Sequence, residues 1–107
     1  NKKIIFYNNI RKMDSVMKKC VKACKDCKKM DMKDCRTACG DCEILCSVIA
    51  DCISKISDDS LKKSLYKLVI KACKKCIKVC SKYDHKKCKG CVKACTMCVK
   101  MCEDKCK

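Results

Sequence analysis

Apolar and sulfur-bearing positions recur along the chain at alternating intervals of three and four residues, in four blocks. The first runs Phe6, Ile10, Met13, Met17, Cys20, Cys24, Cys27, and the second Cys35, Cys39, Cys42, Cys46, Ile49, Ile53, Ile56. The third passes through Val69, Cys73, Cys76 and Cys80, with Leu61, Leu65 and Leu68 starting an adjacent stripe. The fourth is Cys88, Cys91, Cys95, Cys98, Cys102, Cys106. Such spacing lays each set along one face of a helix and suits helices crossing at a shallow angle in a left-handed bundle. The pattern predicts an all-α protein with helices over about 4–29, 32–56, 60–82 and 85–106, forming one domain over 1–107. The absence of Pro, two Gly and scarce aromatics agree with long helices rather than sheets.

The breaks coincide with capping residues. Asp31 is expected to cap the second helix, the Ser57-Asp58-Asp59-Ser60 stretch the third, and Asp84 the fourth. Short connections predict antiparallel neighbours, up-down-up-down, each helix of roughly 22 residues spanning about 33 Å. That topology sorts the seams into layers. From the end holding the first and third connections, these are Cys27, Cys35, Cys80 and Cys88, then Cys24, Cys39, Cys76 and Cys91, then Cys20, Cys42, Cys73 and Cys95. Below come Met17, Cys46, Val69 and Cys98, then Met13, Ile49, Tyr66 and Cys102, with Ile10, Ile53, Ile56, Leu61 and Leu65 closing the far end. A thiol-lined tube is expected to grade into an apolar plug.

Composition sharpens this picture. An ordinary bundle fills its seam with Leu and Ile. Here 17 of 107 residues are Cys, Cys52 standing slightly apart from the runs. The net charge of +16 comes from 28 Lys and Arg against 12 Asp and Glu, and Arg11 and Arg36 are the only arginines. Such a surface fits three readings: a solvated lysine coat, a nucleic-acid or other anionic partner, or negative charge carried inside as metal-bound thiolates. The longest apolar runs are too short to span a bilayer, so no membrane partner is expected.

Three chemistries compete for the sulfurs. A disulfide-stabilised bundle would suit a small cysteine-dense chain, but 17 is odd and periodic packing sets each sulfur beside many others rather than one partner. Zinc and iron–sulfur sites favour a discrete quartet presented by loops, and a continuous helical array is expected to form none. Cuprous ion fits better: soft thiolates select it, it accepts two or three ligands, and helix residues four apart point their side chains the same way. Seven such pairs lie on the seams: Cys20 with Cys24, Cys35 with Cys39, Cys42 with Cys46, Cys76 with Cys80, Cys91 with Cys95, Cys98 with Cys102, and Cys102 with Cys106. The three-residue steps between them favour bridging thiolates and clusters.

The stretch from Ala72 to Cys102 reads Ala-Cys-x-x-Cys-x-x-x-Cys, then Asp84-His85-x-x-Cys88-x-x-Cys91-x-x-Ala94-Cys95-x-x-Cys98-x-x-x-Cys102. It resembles the bacterial four-helix-bundle copper storage proteins, the Csp family, and especially their cytosolic branch. The resemblance extends in helix number and seam placement over the whole chain, more loosely in the first two helices. It implies reversible storage of many Cu(I) ions per chain along the bundle axis, a tetramer, and a cytoplasmic location. Because the sequence starts at Asn1 rather than Met, a trimmed export signal stays open. The chain departs from the family in its extreme basicity, its single histidine, and Tyr66 and Val69 where the third seam could carry thiols.

The expected metal ligands are all 17 cysteines, Cys20 through Cys106, with Cys52 among them, and His85 at the mouth, where it would guide or ligate copper. Met30 and Met32 sit at the same mouth; Met13 and Met17 read as gap-filling core, and Met97 and Met101 flank the fourth seam. Gly40 and Gly90, beside Cys39 and Cys91, suggest close helix approach. No Ser-His-Asp or Cys-His-Asn set, phosphate loop or paired catalytic carboxylates is found, so an enzyme is not expected. Aromatics are too sparse for base stacking, and no nucleic-acid partner is expected. The rival readings are the disulfide-stabilised bundle and a basic anion- or nucleic-acid-binding helical module.

Overall fold

The structure, a computed structural model, describes the course of residues 2–107 and the side-chain surroundings of residues 15–107. Four helices follow in order: α1 (Lys2–Cys27), α2 (Lys33–Cys52), α3 (Asp59–Cys80) and α4 (Lys86–Lys105), with a single 3₁₀ turn over Ile53–Lys55 after α2. No strand occurs among the described residues. The bundle measures 46 × 23 × 21 Å. Helix α1 packs on α2 and α4, and α3 packs on the same two, so the helices stand at the corners of a square. Cys27, Cys24 and Cys20 meet Cys88, Cys91 and Cys95 in turn, and Cys80, Cys76 and Cys73 meet Cys35, Cys39 and Cys42, the opposed order of antiparallel neighbours. The seam positions Phe6, Ile10 and Met13 lie outside the described side chains.

Among the described side chains the seam is buried except at Ile56 and Cys106, which are half-buried. Fifteen cysteines are buried and only Cys52 and Cys106 are half-buried. Below the three thiol layers, Met17, Ile49, Ile53, Tyr66, Val69 and Val99 share the buried core with Cys46, Cys98 and Cys102. Lysines occupy the outer faces of α3, α4 and the described part of α1, and exposed apolar side chains interrupt the surface at Ile44 and Val48 of α2, Leu61 and Leu68 of α3, and Met97 of α4.

The caps differ from expectation at two helices. Asp58 caps α3 as its sequence suggests, Oδ1 accepting from the Leu61 N–H at 2.9 Å. At α2 the extended residue before the first helical turn is Met32, one position past Asp31, and it offers no side-chain acceptor. At α4 the cap is His85, not Asp84: Nδ1 accepts from the Lys87 N–H at 3.1 Å. Asp84 instead pairs with Lys89 at 2.6 Å. The glycines also depart from expectation. A Cβ at Gly40 or Gly90 would meet nothing within 4 Å, so neither is required by helix approach.

Candidate metal centre

The layers expected from short connections are the layers found. In the mouth layer Cys27 stands 3.7 Å from Cys80 and 3.8 Å from Cys88, and Cys35 3.9 Å from Cys80. The second layer is tightest: Cys39–Cys76 and Cys76–Cys91 are 3.4 Å, Cys24–Cys91 3.7 Å and Cys39–Cys91 3.8 Å. In the third, Cys20 lies 3.8 Å from Cys73 and 3.7 Å from Cys95, and Cys42 3.6 Å from Cys73. These are contacts between free thiols, well beyond the roughly 2.05 Å of a disulfide bond.

Vertical contacts join the layers. Cys39–Cys80 is 3.6 Å, Cys24–Cys95 3.9 Å, Cys91–Cys95 3.9 Å, Cys76–Cys80 4.0 Å and Cys42–Cys46 3.9 Å. The same-helix pairs are therefore only part of the arrangement, since contacts between helices are equally short or shorter. Sequence spacing led us to expect no discrete quartet. The structure instead brings four Sγ atoms within 4.8 Å of one another in Cys20/Cys24/Cys42/Cys95, Cys20/Cys42/Cys46/Cys73, Cys24/Cys76/Cys91/Cys95 and Cys27/Cys39/Cys80/Cys91, with the trio Cys27/Cys35/Cys88 at the mouth. Seam periodicity along one helix carries no information on how four seams interleave, and that interleaving makes the quartets.

Burial and mutual hydrogen bonding make the thiols unequal. Burial pushes Cys27 up to about 12, with hydrogen bonding to Cys39 and Cys80 pulling the other way. Burial also raises Cys35 above an ordinary thiol. Hydrogen bonding with Cys24, Cys39 and Cys76 lowers Cys91, and hydrogen bonding with Cys20 raises Cys95.

The remaining expected ligands are spread more widely. Cys98 and Cys102 are buried one and two turns below the third layer, Cys98 within interaction range of Cys102, Cys20 and Cys46. Cys52 is half-buried at the end of α2, and Cys106 turns its Sγ toward the Lys63 carbonyl at 3.8 Å, so neither joins the sulfur network. His85 is exposed with Nδ1 engaged in capping, leaving Nε2 as its available nitrogen. Met32 is partly buried against the core, and Met30 is half-buried beside it.

Sequence reasoning missed one feature of the mouth. Tyr83 donates its hydroxyl to Asp34 Oδ1 at 2.8 Å, and Lys82 approaches Oδ2 at 3.4 Å. The hydrogen bond from Tyr83, with help from Lys82, holds Asp34 below the usual carboxylate range and raises the Tyr83 phenol. This clasp ties the start of α2 to the α3–α4 connection, next to Cys35 and three residues from Cys80. Nothing in local spacing announces a pair 49 residues apart.

No curated protein and no solved structure matches the chain. A family model described as copper storage protein matches residues 6–107, the span containing every thiol layer described above. With a buried, reduced sulfur core of this form and that match over nearly its whole length, the chain belongs to the copper storage protein family.

Proposed function

We propose that the protein reversibly stores several cuprous ions per chain, held by the thiolates of its core, and that it is not an enzyme. One observation carries this reading. Thirteen sulfurs (Cys20, Cys24, Cys27, Cys35, Cys39, Cys42, Cys46, Cys73, Cys76, Cys80, Cys88, Cys91, Cys95) form a single connected network in which every step is 4.0 Å or less. A soft monovalent ion can pass along it by exchanging one thiolate at a time. Copper enters at the clasped end, beside His85 and Met32, and moves inward; Cys98 and Cys102 extend the path, and Cys52, Cys106 and His85 act at its margins.

Binding one cuprous ion to two neutral thiols releases two protons and leaves one net negative charge. Loading builds a polyanion in the bundle, and the +16 surface offsets it. Exposed Ile44, Val48, Leu61, Leu68 and Met97 supply apolar surface for a tetramer, and reduced thiols suit a cytoplasmic setting. The test is anaerobic titration of the reduced, metal-free protein with Cu(I) against a chromophoric chelator, followed by native mass spectrometry. Well over four tightly held ions per chain are expected; a plateau at or below about four would end the storage reading, given three full layers of four thiols.

A further inference from the structure

We propose that the metal-free core also takes divalent ions of the zinc group, Zn2+ and Cd2+, in tetrahedral four-thiolate sites set between its layers, with Cys24, Cys76, Cys91 and Cys95 as the principal site. Metal–sulfur bonds of about 2.3 Å put the sulfurs of a tetrahedral site about 3.8 Å apart, against about 4.6 Å for a linear pair with bonds of that length. In the principal site Cys76–Cys91 is 3.4 Å, Cys24–Cys91 3.7 Å, and Cys24–Cys95 and Cys91–Cys95 both 3.9 Å. All four are fully buried and lie within 4.8 Å of one another. The quartet draws on α1, α3 and α4 and on two adjacent layers.

The same-helix pairs Cys42–Cys46, Cys76–Cys80 and Cys91–Cys95 measure 3.9–4.0 Å. They would have to spread by about half an ångström to hold a linear ion, whereas several edges of the quartets already lie near the tetrahedral value and the rest within 4.8 Å. A second closed site, Cys20/Cys42/Cys46/Cys73, shares no ligand with the first, its printed edges being 3.6–3.9 Å. The trio Cys27/Cys35/Cys88 makes a third, open site at the mouth, where the fourth position is left for an exchangeable ligand. The core thus holds two closed sites and one open site with no sulfur used twice.

The chemistry balances without any redox step. One divalent ion and four neutral thiols give a tetrathiolate complex of charge −2 and four released protons. This mode is of low capacity and distinct from cuprous loading, so its failure leaves the storage reading untouched.

The reduced, metal-free full chain is titrated anaerobically with Cd2+, following sulfur-to-cadmium charge-transfer absorption, with 113Cd NMR to identify the ligands. Saturation at about two to three ions per chain, with resonances of all-sulfur coordination, is expected. Cys91→Ala, checked for retained helicity by circular dichroism, should remove one closed site; Cys98→Ala, which lies in none of the quartets, should leave the cadmium plateau unchanged. Nitrogen or oxygen coordination, absence of a saturable band, or equal losses from the two substitutions would overturn the proposal. Should Cys91→Ala not fold, Cys91→Ser, closer in size, tests the same site with the same expected loss.

Discussion

The two halves of the bundle share one topology and differ in what fills them. Towards the mouth, three layers contain only sulfur from four helices; towards the far end, Cys46, Cys98 and Cys102 share the buried core with Met17, Ile49, Ile53, Tyr66, Val69 and Val99. Cysteine is a small hydrophobe whose burial contributes less than that of Ile or Met. We expect the metal-free protein to draw more of its cohesion from the far half, and the mouth half to gain stability when copper binds.

The largest test of this contrast is thermal. At free copper about 1,000-fold above the dissociation constant, one bound ion stabilises by about 4 kcal/mol, enough to raise Tm by roughly 16–30 °C in a domain of this size. Calorimetry of loaded and metal-free protein should show a shift at least that large, and equal melting temperatures would break the comparison. Substitution comes next. Ile49→Ala should cost about 2–4 kcal/mol of metal-free stability, read by urea denaturation, with copper capacity unchanged. Cys76→Ala should cost about 1 kcal/mol and lower capacity by native mass spectrometry.

The smallest effect is expected in alkali. Cys27, raised to about 12 by burial, keeps its proton in the folded state after the unfolded chain has lost it near the ordinary thiol value of 9.0. A group raised on folding contributes stability that is complete below the unfolded value and lost as pH climbs through the folded one. Denaturant midpoints of the metal-free protein should therefore fall between about pH 9 and 12, and copper binding, which releases these protons, should remove that slope.

Helix number, seam and layer order were legible because a three-four repeat and short connections leave little freedom of register. Cys24 meets Cys91 and Cys39 meets Cys76 as their spacing implies. The caps were less legible: Asp31 and Asp84 are sound capping residues, but the backbone turns one residue later, at Met32 and His85. The Asp34–Tyr83 clasp joins distant segments through a single hydroxyl, and no local pattern encodes it. The quartets emerge only when four helices are brought together, and family membership over residues 6–107 rests on the whole span rather than on any one pair.

The apolar floor beneath the sulfur column has a kinetic consequence. If copper follows the proposed path, the buried Val69, Ile49 and Tyr66 towards the far end would make the column a last-in, first-out stack, the ion admitted most recently leaving first and the deepest waiting for those above it. Retrieval should thus slow as the store empties, giving a nearly full protein a fast reserve and a nearly empty one a slow residue.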